Sequence, residues 1–408
     1  MQTNLADFIK LTPDGQAADQ ILRSCVHCGF CLATCPTYQL LGDELDSPRG
    51  RIYLIKQMLE GEPVTAKTQL HLDRCLTCRS CETTCPSGVQ YGHLLDIGRN
   101  IAEQRIPRSL PDRLQRWSVR KLLGNRLLFG TLLRLGQTCR PFMPASLQRR
   151  IPARQNAGVW PNKEHPRRML ILDGCVQPAL SPNINSATAR VLDRLGIQLL
   201  RPEGVGCCGA LDQHLNAQEA ALLSVKRNID AWWPLLQQDC EAIVITASGC
   251  GVMVKDYGHL LKNDNAYAEK AARISALTRD MSEIITTEKN RLSTLLKPAK
   301  RAKVAFHAPC TLQHGQKITG MIESLLSTAG FELTAVADGH LCCGSAGTYS
   351  ILQPELARQL RSNKLAALNN GTPHTIATAN IGCLTHLQSG TDVPVRHWIE
   401  LLDEVLHT

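Results

Sequence analysis

Two runs of four cysteines, spaced identically and each closed by a proline, constrain this chain more than any other feature. They read Cys25-Val-His-Cys28-Gly-Phe-Cys31-Leu-Ala-Thr-Cys35-Pro36 and Cys75-Leu-Thr-Cys78-Arg-Ser-Cys81-Glu-Thr-Thr-Cys85-Pro86. They belong to a set of 18 cysteines in 408 residues, more than packing needs. Such a set either forms disulfides or holds metal, and the compartment decides which. The first sixteen residues include Asp7 and Asp14 and have no continuous apolar stretch, so no secretory signal is expected. The best apolar run, Leu127 to Leu133, is cut off by Arg126 and Arg134, so no membrane span is expected either. A cytoplasmic, reducing setting with this many thiols points to metal or redox chemistry.

In a C-x2-C-x2-C-x3-C-P run, three closely spaced thiolates wrap three irons of a cubane and the fourth is carried past it to a second cluster. The predicted ligand sets are therefore Cys25, Cys28, Cys31 and Cys85 for one [4Fe-4S] cluster, and Cys75, Cys78, Cys81 and Cys35 for the other. Structural zinc is the weaker rival, because it is usually held by two C-x2-C-type pairs and a third close cysteine would be surplus. His27 is read as lying beside the ligand set. The proline after each fourth cysteine removes a donor and fixes φ, which helps turn the chain away. Between the runs, Asp43 to Glu60 and Ala66 to Arg74 carry helix-like apolar spacing at Ile52, Ile55 and Leu59, and at Leu70 and Leu72.

The other cysteines follow a second grammar, an internal repeat. Cys175 is followed 32 positions later by Cys207-Cys208-Gly209 and then by Cys250; Cys310 is followed 32 positions later by Cys342-Cys343-Gly344 and then by Cys383. The first three cysteines are offset by 135, as are Asn228 and Asn363 within predicted helices. An apolar run precedes the first cysteine of each copy, a helical stretch ends in Leu195-Gly196 or Ala329-Gly330, and a final strand is expected to carry Cys250 or Cys383 at its end. Short strands alternating with helices predict two related α/β lobes, with cysteines gathered where strands end. These eight cysteines are candidates for a further iron-sulfur cluster or a redox site; the competing reading is buried structural thiols. His307, His314, His340 and His386 lie near them, but none recurs at the matching position, so they are left outside the ligand set. Cys139 and Cys240 belong to neither grammar and are expected to be core residues. Trp232 and Trp233 are expected in a core or interface.

The domain boundaries that result are 1–104 for a helical two-cluster domain, 105–166 for a connector, and 167–297 and 298–408 for the two lobes. The net charge of +9 is concentrated: between Arg105 and Arg168 fifteen Lys/Arg face only Asp112 and Glu164. Trp117 to Arg134 reads as one basic, Leu-rich helix suited to an anionic lipid surface or an acidic partner, or else as a solvated linker helix. Aromatics at 4% do not supply a stacking surface for nucleic acid. No G-x-G-x-x-G fingerprint or phosphate loop is present, so this chain is not expected to bind a flavin or nicotinamide in the usual way.

The fold class is thus α+β and multidomain. Its helical first part resembles the α-helical ferredoxin domain of respiratory dehydrogenase subunits. The repeats resemble the cysteine-rich "CCG" domain of heterodisulfide reductase-type subunits, with Ala247 and Asn380 standing where that pattern has one more cysteine. The whole order is similar to the iron-sulfur subunits of glycolate oxidases. That similarity includes Cys35-Pro-Thr-Tyr-Gln-Leu-Leu-Gly-Asp-Glu-Leu45, Asp173-Gly-Cys-Val-Gln-Pro-Ala-Leu-Ser-Pro-Asn183, His340-Leu-Cys-Cys-Gly-Ser-Ala-Gly-Thr-Tyr349, Thr378-Ala-Asn-Ile-Gly-Cys-Leu-Thr-His386 and Val395-Arg-His-Trp-Ile-Glu-Leu-Leu402. The resemblance implies an electron-transfer subunit with no substrate chemistry of its own. It implies a partner FAD subunit that oxidises glycolate to glyoxylate, a related flavoprotein-like subunit, and a quinone acceptor at the cytoplasmic face of the inner membrane. The alternatives are the same role in an anaerobic glycerol-3-phosphate or lactate dehydrogenase, or a heterodisulfide reductase-like catalyst.

Overall fold

The computed structural model describes residues 1–144, 148, 151–297 and 299–407. The first part is helical, as the apolar spacing between the cysteine runs predicts. Helices Pro13–Ser24, Pro48–Leu59, Ala66–Asp73 and Tyr91–Arg105 enclose a core built on Leu22, Ile55, Leu59, Leu72, Leu94 and Leu95. Two of these helices start on the same device: a hydroxyl cap followed by proline. Thr12 accepts from the Gly15 amide before Pro13, and Ser47 accepts from the Gly50 amide before Pro48. Gly98 lets the last helix approach Pro48–Leu59 closely, since a Cβ there would lie 2.6 Å from Ile55 Cγ1.

The connector departs from the sequence expectation of one helix. It forms two, Leu110–Gly124 and Arg126–Cys139, because Asn125 turns the backbone out and its side chain caps the second by accepting from the Leu128 amide. Neither helix buries a residue.

The two repeats form two four-stranded parallel sheets of the same topology. In the first, β1 (Arg167–Ile171), β2 (Ile197–Leu200), β3 (Cys240–Ile245) and β4 (Thr278–Asp280) lie in the order β2-β1-β3-β4. In the second, β5 (Lys303–His307), β6 (Glu332–Leu333), β7 (Thr375–Thr378) and β8 (Val395–His397) lie in the order β6-β5-β7-β8. Cys250 and Cys383 are not at strand ends, as expected from sequence, but in the first turns of helices Ser248–Lys255 and Ile381–Gln388. The ladders stop earlier, with Ile245 opposite Asp280 and Thr378 opposite His397, and the extended residues Ala247 and Asn380 then open the helices.

The sheets share one hydrophobic core that runs from Met169 and Leu192 through Phe306 to Trp398 and Leu402. Polar links reinforce it: Arg190 donates to the Asp403 carboxylate at 2.6 Å, and the imidazole Nε2 of His397 meets the Thr246 carbonyl at 2.9 Å. The helical domain contacts both lobes. Arg79 pairs with Asp256 at 2.9 Å, and the His93 ring stacks on His259 with centroids 3.9 Å apart. On the other side Thr83 Oγ1 meets His314 Nδ1 at 2.9 Å, and Leu76 is buried with Cys310, Cys342, Tyr349 and Leu360.

Two predictions concern these interfaces. Trp398 is 1% exposed, so Trp398→Ala should remove about 3–5 kcal/mol of stability in denaturant unfolding of anaerobic protein. Burial would raise the Asp256 carboxyl, but the His93 imidazole 3.9 Å away and the Arg79 guanidinium at 2.9 Å outweigh it and hold the group at about 2. Its stabilisation is present above the unfolded value near 3.8 and fades only as pH falls toward 2. Asp256→Asn should therefore cost about 2 kcal/mol near pH 7, a gap that should close as pH falls toward 2.

Candidate metal centres

Each cysteine run folds as a tight loop with left-handed residues at matching places: His27 (φ 57°) and Gly29 (φ 85°) in the first, Thr77 (φ 54°) and Arg79 (φ 59°) in the second. A short helical turn follows in each case, Phe30–Leu32 and Ser80–Thr84. Alternating the hand of the backbone curls the loop so that its thiols and amide N–H groups face one hollow. Pro36 then opens helix Pro36–Leu41, which carries the chain away from Cys35.

The fourth cysteines cross over. One hollow, partly open to solvent, is lined by Cys25, Cys28 and Cys31 together with Cys85 of the other run. A second is lined by Cys75 and Cys78 together with Cys35 of the first run. Cys81 stands in the wall between them and borders both. Hydrogen-bond donors already address the sulfurs: the Thr77 amide lies 3.4 Å and the Tyr91 hydroxyl 3.6 Å from Cys75 Sγ.

A buried cation stands behind the second hollow. Arg51, 1% exposed, donates to the His71 carbonyl at 2.7 Å, to Thr37 Oγ1 at 3.1 Å and to Asp46 at 3.2 Å, and its Nη1 lies 4.0 Å from Cys35 Sγ. Asp46 is compensated again by Arg74 at 2.9 Å. The close grouping of Asp43, Asp46 and His71 is therefore an ion-pair network rather than a cation site.

Burial and mutual repulsion push the thiols up, Cys31 to about 11 and Cys78 and Cys81 well above the ordinary value. Converging thiols of this kind cannot all ionise unless a multivalent cation compensates them. The donor set and the two thiol-lined hollows fit a pair of iron-sulfur clusters.

The lobe cysteines also gather. In the first lobe Cys175, Cys207, Cys208 and Cys250 form a chain of neighbouring thiols. Sulfhydryls of Cys175 and Cys208 and the Gly209 amide all address Cys207, which lowers its pKa. Asn228 pins the turn by accepting from the Gly206 amide at 2.9 Å and donating to the Cys207 carbonyl at 2.9 Å; the Tyr257 hydroxyl donates to the Cys208 carbonyl at 2.8 Å. The repeated glycine is required because its φ is +93° at Gly209 and +88° at Gly344, where a Cβ would sit 2.6 Å from the Ala357 carbonyl.

In the second lobe the Cys310 and Cys342 sulfurs are 3.8 Å apart, and Cys342, Cys343 and Cys383 are neighbours in turn. Asn380, at the site of the missing cysteine, donates to Cys383 Sγ at 3.5 Å. His314 is satisfied by Thr83 and the His340 carbonyl, and His386 Nε2 contacts the Ala357 carbonyl at 3.2 Å. His307 differs: a ring nitrogen lies with the Cys343 and Cys383 sulfurs, all within 4.8 Å of one another. The repeat comparison missed it because the first lobe has Leu172 at that position. Cys240 is a core residue and Trp232 is fully buried, while Cys139 is only half-buried on the connector.

Comparison with known proteins agrees with this architecture. Residues 21–89 match the family of 4Fe-4S dicluster domains, and residues 169–255 and 304–388 each match the cysteine-rich domain family. The chain is 56% identical over its full length to the glycolate oxidase iron-sulfur subunit of Escherichia coli K12, covering 99% of that protein. It is 31% identical over 91% of its length to the probable glycolate oxidase iron-sulfur subunit of Bacillus subtilis, covering 89% of that protein. It is 28% identical over 56% of its length to lactate utilization protein A of Bacillus velezensis, covering 96% of that protein. With thiol-lined hollows in the helical domain and paired cysteine-rich lobes behind it, the chain belongs to the glycolate oxidase iron-sulfur subunit family.

Proposed function

We propose that this chain is the electron-transfer subunit of a glycolate dehydrogenase complex, accepting electrons from a partner FAD subunit that converts glycolate to glyoxylate and delivering them toward a membrane quinone. The observation that supports this reading is the crossing of the cysteine runs, which gathers Cys85 beside Cys25, Cys28 and Cys31, and Cys35 beside Cys75, Cys78 and Cys81, as two four-thiol groups suited to act as ligands. When bound, a [4Fe-4S] cluster supplies one-electron acceptance and release at a potential set by burial, charge and hydrogen bonds. The chain's own residues supply those influences. Arg51 places positive charge behind the second hollow, and Tyr91 and Thr77 donate to Cys75. Exposed Val26 and Phe30 flank the exposed Cys28 at the mouth of the first hollow and offer an apolar contact for a redox partner. Similarity along the full chain supports glycolate over lactate, for which the named relative matches little more than half of it.

The connector is the part we assign to the membrane surface. Leu110, Leu114 and Trp117 are exposed on one helix, and Leu127, Leu132 and Leu135 on the next. Several nearby cations are committed internally: Arg108 and Arg116 to Asp73, Arg120 to Asp212, Arg126 to Asp173. Among the described residues Arg113, Lys121 and Arg134 have no carboxylate partner, which leaves charge for anionic lipid beside exposed apolar side chains. No described helix is long and apolar enough to cross a membrane.

Anaerobic protein should contain about eight irons from its ferredoxin half, with paired cubane signals in electron paramagnetic resonance after reduction. Cys35→Ser should disturb the signal that Cys75→Ser disturbs, rather than that of Cys28→Ser; grouping of Cys35 with its own run would sink the crossed assignment. Arg51→Met should lower the midpoint potential of that same cluster by tens of millivolts, since removing a nearby cation disfavours the more negative reduced state, while Arg51→Lys should restore much of it. For the connector, Leu127→Glu with Leu135→Glu should abolish co-sedimentation with phosphatidylglycerol vesicles. Equal binding by wild type and variant would remove the connector from membrane contact.

A further inference from the structure

Tyr349 opens the short helix Tyr349–Leu352 of the second lobe, just beyond the Cys342-Cys343-Gly344 turn. Its ring stays out of the core that the two sheets share. It belongs instead to a separate buried cluster with Leu76 of the helical domain and with Cys310, Cys342 and Leu360, against which Cys78 also packs. Tyr349 is 6% exposed, and its hydroxyl is closed to solvent and has no hydrogen-bond partner among the described residues. A buried hydroxyl left unpaired destabilises the fold, and phenylalanine would fill the same space without that cost. The first lobe has His214 at the matching position, so the phenol is not a requirement of the repeat.

The charges that act on the hydroxyl locate it. Burial pushes its pKa up; among its neighbours Cys75 adds most to the rise, Arg51 opposes it, and Cys342 and Asp46 contribute less. Cys75 and Arg51 line the second hollow, and Asp46 pairs with Arg51. The hydroxyl is therefore held at the edge of that hollow. The nearby sulfurs already have donors of their own: the Tyr91 hydroxyl lies 3.6 Å from Cys75 Sγ, and the Cys310 thiol and the Gly344 amide address Cys342 Sγ at 3.8 Å and 3.4 Å. The sulfurs of an iron-sulfur cluster accept hydrogen bonds, and such bonds are among the influences that set its potential.

We propose that the Tyr349 hydroxyl, supplied by the second lobe, donates a hydrogen bond to the cluster held by Cys35, Cys75, Cys78 and Cys81 and raises its midpoint potential. The proposal rests on the reading of the crossed cysteine runs as two cluster sites. The phenol keeps its proton while one electron from the partner's reduced flavin is taken up beside it, and no bond to its oxygen forms or breaks. A hydrogen bond strengthens as its acceptor gains negative charge, so the donor favours the reduced state. The ligands come from the helical domain and the donor from the lobe, so the seating of one on the other contributes to the potential.

The test is a redox titration of the anaerobically purified full chain, followed by electron paramagnetic resonance. Electron-nuclear double resonance of reduced protein exchanged into deuterium oxide then reports the hydrogen bond itself. Tyr349→Phe keeps the ring and removes only the hydroxyl. At the wild-type midpoint it should cut the ratio of reduced to oxidised cluster about tenfold, a fall of about 59 mV for a one-electron couple. The affected signal should be the one that Cys75→Ser disturbs, and it should lose one exchangeable deuteron coupling. Iron content and the signal that Cys28→Ser disturbs should stay as in wild type. Tyr91→Phe, which removes the donor at Cys75 Sγ, should move the same potential and leave the Tyr349 coupling in place. An unchanged potential, a shift with the deuteron coupling retained, or a change confined to a signal that Cys342→Ser disturbs would each overturn the proposal. About eight irons with Tyr349→Phe inert would leave the relay standing, whereas iron near zero in the wild-type chain would sink the relay and this proposal with it.

Discussion

The crossing of the two cysteine runs is the constraint on which the helical domain depends. Because Cys85 completes the wall of the hollow formed by Cys25, Cys28 and Cys31, and Cys35 that of the hollow formed by Cys75 and Cys78, neither run makes a site alone. The helices between them must return the chain to its starting point, and the buried core of Leu22, Ile55, Leu94 and Leu95 holds that return. Arg51 and Asp46 tie the same geometry electrostatically, at 1% and 0% exposure. A buried ion pair gives little net stability, because desolvation offsets attraction, but losing one partner strands the other. Its value here is positional: it fixes a cation 4.0 Å from a cysteine sulfur.

That domain is wedged between the two lobes, and the contacts are unequal. Toward the first lobe they are polar, through Arg79 with Asp256 and the stacked His93 and His259. Toward the second lobe they reach the chemistry itself, since Leu76 and Cys78 pack against Cys310 and Cys342. The second hollow is thus shielded by protein while the first keeps the exposed Cys28 at its edge. Shielding raises the influence of each nearby charge, so Arg51 acts where it counts most.

Much of this was legible in sequence because it is carried by spacing. The crossed lining of the two hollows, the helices between the runs and the 135-residue repeat all follow from intervals that only a few geometries satisfy. What was not legible depends on where backbone pairing stops or on contacts across the fold. Cys250 and Cys383 fall on helices because β3 and β7 run out of partners at Ile245 and Thr378. The break at Asn125 is a local cap that outweighed the periodicity of the leucines around it. Asn228 was visible as a repeated residue, yet its task of holding the Cys207 turn needed the structure.

His307 shows why agreement between repeats can mislead. Two copies descended from one pattern preserve what both need, so a residue special to one copy looks like noise. Three differences converge on the second lobe's thiols: His307 for Leu172, Lys364 for Ile229 and Asn380 for Ala247. Each replaces an apolar side chain with a polar or charged one at a site where His307 and Lys364 are at most 3% exposed. Buried polar groups destabilise a fold unless something binds them, and Asn380 alone finds a protein sulfur. Lys364 donates to the Asp338 carbonyl, whereas His307 keeps both ring nitrogens without a protein partner, so the repeats diverge in buried polarity at the positions where their sequences disagree.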